Sequence, residues 1–308
     1  MRMAFRVLVS DPLAKDAVAA MVAAGIDVVE KTSLTPDELI TEIASYDAIM
    51  VRSATKLRAP VLDAATSLKL IVRAGVGLDN IDVAHARSRG IEVRNTPAAS
   101  SNSVAELALG HMLSLARHIG RGTVSMRAGR WEKKALGGVE LRGKLLGIVG
   151  IGRIGRLLAE KAAALGMRVI AHDKFIESSP LPETVEMVSL ERLLETADFV
   201  SLHVPYDPAT GPTIGTAELE RMRPGAYLVN CARGGVVDEE AVAEALSSGR
   251  LAGAALDVFL SEPPDAALPL LAQENVSLTP HIGASTTEAQ QRVGSEAAAI
   301  VIAFQKTR

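Results

Sequence analysis

Short apolar runs rich in β-branched residues alternate with helical stretches along nearly the whole chain. In the first third, strands are predicted at 6–9, 27–29, 48–51, 70–72 and 91–94, and helices at 14–24, 36–45, 59–65 and 83–89. Thr35, Pro36, Asp37 and Glu38 give the second helix the chemistry of a helix start. Gly25 and Gly90 follow helices as C-terminal caps. Apolar strands separated by helices predict a parallel α/β sheet covered on both faces.

Asn95-Thr96-Pro97 interrupts this rhythm. A long helix is predicted over about 101–119, followed by a Gly-, Arg- and Lys-rich stretch at 120–144 with little periodicity. A second β/α series has strands at 145–149, 168–172, 199–202, 226–230, 251–256 and 276–278. The last segment, 288–304, reads as an Ala-rich helix whose periodicity does not say which unit it joins. The fold class predicted is therefore α/β, with two parallel-sheet units in series and a boundary near 96–100.

The 308 residues suit two domains, and a 48% hydrophobic content excludes disorder as the main state. With 33 basic against 36 acidic residues the net charge is −3, which makes nucleic acid and anionic membranes poor partners. No apolar stretch reaches the length of a membrane span, and the run 5–9 is too short for a signal peptide. The lone Cys231 has no disulfide partner, which fits a reducing cytoplasm. The six histidines (85, 111, 118, 172, 203 and 281) show no ligand-like spacing, so no metal is expected.

The most informative segment begins at the strand 145–149. It runs into Gly150-Ile151-Gly152-Arg153-Ile154-Gly155, a G-x-G-x-x-G followed by a helix at 154–165 and a strand ending at Asp173. Gly150 permits a tight turn, Gly152 lets backbone N–H groups approach a pyrophosphate, and Gly155 lets the helix pack on the strand. Asp173 can accept hydrogen bonds from ribose hydroxyls, and its charge favours NAD over NADP. A Gly-rich turn with a surface Asp is the plainer alternative.

Three later strands end in chemically loaded segments: Asn230-Cys231-Ala232-Arg233-Gly234-Gly235, Asp257 to Pro264 with Glu262, and Thr279-Pro280-His281-Ile282-Gly283. Strand carboxyl ends line the ligand crevice of such sheets, so an Arg, a Glu and a His are expected to converge there. Oxidising a secondary alcohol needs a hydride acceptor and a base. His281 suits the base, Glu262 would fix its tautomer and stabilise its protonated form, and Arg233 would grip a substrate carboxylate.

These motifs, with Val51-Arg52-Ser53-Ala54-Thr55-Lys56, Arg73-Ala74-Gly75-Val76-Gly77-Leu78-Asp79-Asn80, Asn95-Thr96-Pro97, Ser103-Val104-Ala105-Glu106 and Pro280-His281-Ile282-Gly283-Ala284-Ser285-Thr286, resemble the D-isomer-specific 2-hydroxyacid dehydrogenase family over nearly the whole chain. The branch acting on phosphoglycerate is the most similar. The resemblance implies a flavodoxin-like substrate domain over 1–98 plus 286–308 and a Rossmann NAD domain over 99–285. It further implies an interdomain substrate cleft that closes on binding, a homodimer or homotetramer built through the long helix, and a catalytic set of Arg233, Glu262 and His281. Beyond the glycine turn and Asp173, NAD contacts carry over to Val76, Val204, Pro205, Cys231, Ala232, Arg233, Asp257, His281, Gly283 and Ala284. Val76 stands where the family often has Thr, so a hydroxyl contact is lost.

The implied reaction is NAD-dependent oxidation of 3-phospho-D-glycerate to 3-phosphonooxypyruvate, at the entry to serine synthesis. A form ending near 308 is not expected to be inhibited by serine through a C-terminal regulatory domain. Substrate contacts are expected from Arg52, Ser53, Arg73 and the N–H groups of Gly75 and Val76. Lys56 and the Arg130-Trp131-Glu132-Lys133-Lys134 stretch are further candidates for a phosphate. A glyoxylate/hydroxypyruvate reductase or other D-2-hydroxyacid dehydrogenase shares the same set. An alternative outside enzymes is an NAD-sensing binding protein like the family's co-repressor branch.

Overall fold

The structure is a computed structural model that describes residues 5–307. Residues 1–4 and 308, the outer ends of the predicted substrate domain, lie outside the described residues. The chain divides into two compact units, Met1–Ser100 with Ala284–Arg308, and Ser101–Gly283.

In the first unit β1 (Arg6–Val9), α1 (Lys15–Ala23), β2 (Asp27–Glu30), α2 (Pro36–Glu42), β3 (Ala48–Val51), α3 (Ala59–Ala64), β4 (Leu70–Arg73), α4 (Val83–Ser88) and β5 (Glu92–Asn95) follow one another. All strand pairs are parallel, in the order β2-β1-β3-β4-β5. The sheet is covered on both sides because alternate residues point to opposite faces. Val7, Val9, Met50 and Val72 share one core with Met21 of α1, while Leu8, Ile49, Val51 and Ile71 share another with Leu39, Val61 and Leu62. Thr35 caps α2 as a capping box: its hydroxyl accepts from Glu38 N–H, and the Glu38 carboxylate accepts from Thr35 N–H at 2.8 Å.

The second unit opens with α5 (Ser101–Arg117) and α6 (Ile119–Arg127). The predicted helix to 119 therefore stops at Arg117, and the stretch read as aperiodic holds a second helix. His118 breaks the two with a left-handed backbone, φ 52°. Gly120 and Gly122 are poor helix formers, and Ile119, Val124 and Met126 are exposed, so α6 carries no core-facing stripe to recognise.

Then come β6 (Leu145–Val149), α7 (Arg153–Ala164), β7 (Arg168–His172), β8 (Val185–Met187), α8 (Leu190–Thr196), β9 (Phe199–Leu202), α9 (Thr216–Arg221), β10 (Ala226–Asn230), α10 (Glu239–Ser247), β11 (Leu251–Leu256) and β12 (Val276–Leu278). They form a seven-stranded parallel sheet, β12-β11-β10-β9-β6-β7-β8. The three-residue edge strand β8 was not predicted. Strand order reverses between β6 and β9, and ligands of open α/β sheets bind outside such a switch point.

The last helix, α11 (Thr287–Lys306), belongs to the first unit. Val293, Ala297, Val301 and Phe304 share the core that holds Val7 and Met21. No helix among the described residues is long and apolar enough to cross a membrane.

Candidate functional site

The switch point of the second sheet is occupied by the glycine turn. Gly150 has φ +96°, and a Cβ there would strike the His203 carbonyl. A Cβ on Gly155 would run into the Gly150 carbonyl oxygen, so only glycine lets α7 start against β6. Gly152 would meet nothing within 4 Å. It is the N-cap of α7 and supplies no side-chain cap, so the first-turn N–H groups are not consumed by one. The turn is thus closed beneath and open at Gly152, the shape a pyrophosphate needs at a positive helix end. Arg153 is exposed and Ile154 half-buried at that end.

Asp173, just past β7, does more than sequence reasoning assigned to it. Its Oδ2 accepts from Ile151 N–H at 3.0 Å, and Oδ1 accepts from Phe175 and Ile176 N–H at 2.8 and 3.1 Å. The carboxylate therefore pins the glycine turn while keeping acceptor capacity for a ribose. The neighbouring walls follow β9 and β10. Val204 is half-buried and Pro205 exposed, and Cys231 and Ala232 are buried. Burial and the nearby Asp257 charge push the Cys231 thiol up, so it lines the site as a neutral group.

Arg233 is held by its loop. Asn230, 1% exposed, donates from Nδ2 to the Arg233 carbonyl at 3.0 Å and accepts from Ala232 N–H at 3.0 Å. The guanidinium donates to the Ala232 carbonyl at 2.6 Å. A Cβ on Gly234 would collide with the Phe259 carbonyl, so this glycine lets the Arg233 loop touch the loop that carries Glu262.

Glu262 bridges two groups. One oxygen accepts from Phe259 N–H at 3.2 Å and the other lies 2.7 Å from His281 Nδ1. The imidazole itself is about half exposed, at 47% of its side-chain surface. With a carboxylate at Nδ1, the proton sits there and Nε2 presents its lone pair. His281 has φ 52°, a conformation that costs a non-glycine residue roughly 1 kcal/mol or more and survives where the surroundings enforce it. Asp257 enforces it. Its carbonyl accepts from His281 N–H at 2.8 Å, and its carboxylate takes the N–H groups of Ile282 and buried Gly283, both at 2.8 Å. Among the described residues no group of three or more His, Cys, Asp and Glu could hold a metal.

The remaining candidates stand in the first unit. Arg52 and Ser53 follow β3, and Arg73 ends β4; register pairs Val51 with Arg73. Sequence reasoning missed the organiser of the Arg52–Thr55 loop, Asp11, which is 3% exposed beyond β1. Its carboxylate accepts from Arg52 N–H at 2.5 Å, Thr55 N–H at 3.2 Å and Thr55 Oγ1 at 2.9 Å. Asn80 adds bonds to the Arg52 and Thr55 carbonyls at 2.8 and 2.7 Å. The Arg73 guanidinium lies over Gly75, φ +145°, where any Cβ would displace it. The Gly75 and Val76 carbonyls are taken by Thr96 N–H and Asn95 Nδ2. Ala284 also falls in this unit. Lys56, Lys133 and Lys134 are exposed, and Arg130 pairs with Glu132 at 2.9 Å. An open cavity of about 910 Å³, lined by Val124, Trp131, Lys133, Lys134 and Leu278 among others, contains none of the catalytic candidates.

Comparison with known proteins places the chain in a family. Residues 109–283 match the family profile described as D-isomer specific 2-hydroxyacid dehydrogenase, NAD binding domain. A hydroxypyruvate reductase of Thermotoga maritima is 50% identical over 294 residues, 95% of each chain. A D-3-phosphoglycerate dehydrogenase of Archaeoglobus fulgidus is 45% identical over 94% of this chain, which spans only 55% of that relative's length. The crystal structure of a D-lactate dehydrogenase from Aquifex aeolicus with NAD and lactic acid is 30% identical, with a TM-score of 0.86 over 98% of this chain and 96% of that one. A glycine turn open to a pyrophosphate, an acid beyond the second strand and this breadth of likeness lead to one conclusion: the chain belongs to the D-isomer-specific 2-hydroxyacid dehydrogenase family and is an NAD-dependent dehydrogenase of that family.

Proposed function

We propose that the protein oxidises 3-phospho-D-glycerate to 3-phosphonooxypyruvate, with His281 as the acid/base, Glu262 as its orienting carboxylate and Arg233 as the ligand of the substrate carboxylate. When bound, NAD supplies the hydride acceptor, or NADH the donor in the reverse direction. His281 takes the hydroxyl proton at Nε2 in oxidation and returns it in reduction. Glu262, 2.7 Å from Nδ1, fixes which nitrogen does this and stabilises the imidazolium while the proton is held. Arg233 offers a planar pair of donors to a carboxylate and draws charge from the carbonyl oxygen.

The observation carrying the phosphorylated substrate is the supply of cations beyond Arg233. Arg52 follows β3 and Arg73 ends β4, two adjacent interior strands of the first sheet, so both stand at its carboxyl ends, and Lys56 lies in the same loop as Arg52. A substrate with a carboxylate and a phosphate requires such a second set. The hydroxypyruvate reductase that matches over 95% of both chains favours a second reading, reduction of hydroxypyruvate by the same machinery.

Steady-state assays with phosphohydroxypyruvate, hydroxypyruvate, glyoxylate and pyruvate separate the two. Under the first reading, Arg52→Ala raises KM for the phosphorylated acid at least about tenfold more than for a short one, the loss of a charged hydrogen bond. Equal effects on both, or a kcat/KM highest for hydroxypyruvate, select the second. His281→Ala should cut kcat at least about a hundredfold while NADH still binds; retained turnover removes His281 from the mechanism. In place of the long helix α5 expected from the resemblance, we assign self-association, as a dimer or tetramer, to the face of α6 and the following loop where Ile119, Val124, Met126 and Trp131 are exposed.

A further inference from the structure

A chain of hydrogen-bonded side chains, buried at His111 and Asp257 and half-buried at Ser277 and Thr279, ends on the segment that carries His281. His111 of α5 is 3% exposed. Its Nδ1 lies 2.9 Å from Ser277 Oγ, and its Nε2 lies 3.0 Å from Thr279 Oγ1. Thr279 Oγ1 in turn lies 2.6 Å from Asp257 Oδ1. Asp257, 1% exposed, is the residue whose carboxylate and carbonyl hold His281, Ile282 and Gly283.

The protons in this chain have one consistent order. A carboxylate only accepts, so the Thr279 hydroxyl must donate to Asp257. Thr279 Oγ1 is then the acceptor for His111 Nε2–H, and the bare Nδ1 accepts from Ser277. A neutral imidazole protonated at Nε2 satisfies every partner. Burial favours that form, pushing His111 below its ordinary value against the opposing pull of Asp257. The placement matters because β12 has three half-exposed residues and pairs with β11 alone. Ser277 and Thr279 are two apart, on one face of this short edge segment, and His111 grips both. His111 thus adds a side-chain hold to the backbone bonds of this segment, Thr279 N–H to the Leu256 carbonyl at 3.0 Å and His281 N–H to the Asp257 carbonyl at 2.8 Å.

We propose that His111 is a positioning residue for the acid/base step: through Thr279 it orients the Asp257 carboxylate, which clamps the Ile282–Gly283 turn and so aims the His281 imidazole. This rests on the reading of His281 as the acid/base. No sequence motif marks His111; it stands among buried small and apolar residues of α5 such as Ala108, Met112 and Leu115.

The test is steady-state kinetics and NADH titration on the full chain with His111→Leu, His111→Gln, Thr279→Val and the double variant His111→Leu/Thr279→Val. Leu removes the donor to Thr279 at similar size, whereas Gln retains an N–H donor. His111→Leu should lower kcat about tenfold, the worth of one buried hydrogen bond, with substrate KM within about twofold. His111→Gln should recover to within about threefold of the parent. Adding His111→Leu to Thr279→Val should cost less than about twofold more, because the two act through one chain. A His111→Leu kcat within about twofold of the parent, equal losses in Leu and Gln, or independent losses in the double variant would each overturn the proposal. Should His111→Leu not fold, Thr279→Val against Thr279→Ser decides: only Val should lose rate. His281→Ala separates the two readings. If it stays active, the acid/base assignment fails; if it is inactive while His111→Leu matches the parent, this inference alone fails.

Discussion

His203 makes the stability of the second unit depend on pH in a direction that can be calculated. The residue follows β9 beneath the glycine turn, with its Nε2 3.0 Å from Ser201 Oγ. Its Nδ1 is buried and has no hydrogen-bond partner among the described residues. A proton there would be a buried charge with nothing to balance it, and burial pushes the imidazole from its ordinary 6.5 down to about 4. The folded value is the lower one, so the unfolded chain binds the proton first as pH falls. Stability is therefore complete above about pH 6.5 and is lost as pH drops toward 4. The interval between the two values corresponds to about 3.4 kcal/mol, of which about 2 kcal/mol is gone by about pH 5. Denaturant titrations at about pH 7.5 and about pH 5 on the parent and His203→Gln measure this directly. Gln keeps a polar group toward Ser201 and does not titrate. The variant should lose about 2 kcal/mol less than the parent between the two conditions. His111, also pushed down by burial, acts alike in both chains and cancels in the difference. Equal losses in parent and variant would refute the reasoning.

Two further outcomes follow from geometry. Gly155→Ala places a methyl against the Gly150 carbonyl and 3.1 Å from Ile148 Cγ2, so α7 must back away from β6; NADH affinity should fall about tenfold or more, with a stability loss of about 1–3 kcal/mol, and an unchanged Kd by fluorescence titration would contradict the role given to that glycine. Val124→Asp puts a charge on the exposed apolar face of α6 and should shift the protein to monomers in sedimentation velocity, with its far-UV circular dichroism unchanged; an unaltered oligomer would move the interface elsewhere.

Sequence pattern alone located eleven of the twelve strands among the described residues, because buried parallel strands are runs of apolar, β-branched residues between turns. It also marked the glycine turn that the structure builds, and it named Glu262 and His281, which lie 2.7 Å apart. The junction of α5 and α6 escaped it, because a left-handed histidine and a glycine-containing helix with an exposed apolar face follow no core period. So did Asp11, His111 and Thr279, single polar residues whose partners lie far along the chain.

What the chain could not disclose in one dimension is pairing at long range. The Ala-rich terminal segment is amphipathic enough to cover either sheet; it joins the first unit because Val293, Ala297, Val301 and Phe304 complete the core of Val7 and Met21. Asp173 reads as a ribose ligand, yet tertiary contact gives it the N–H of Ile151 across 22 residues. His111 and Thr279 are 168 residues apart, and only the folding of α5 across the sheet makes them neighbours. Composition and local period are properties of neighbours in sequence, and hydrogen bonds between buried polar groups are satisfied by neighbours in space.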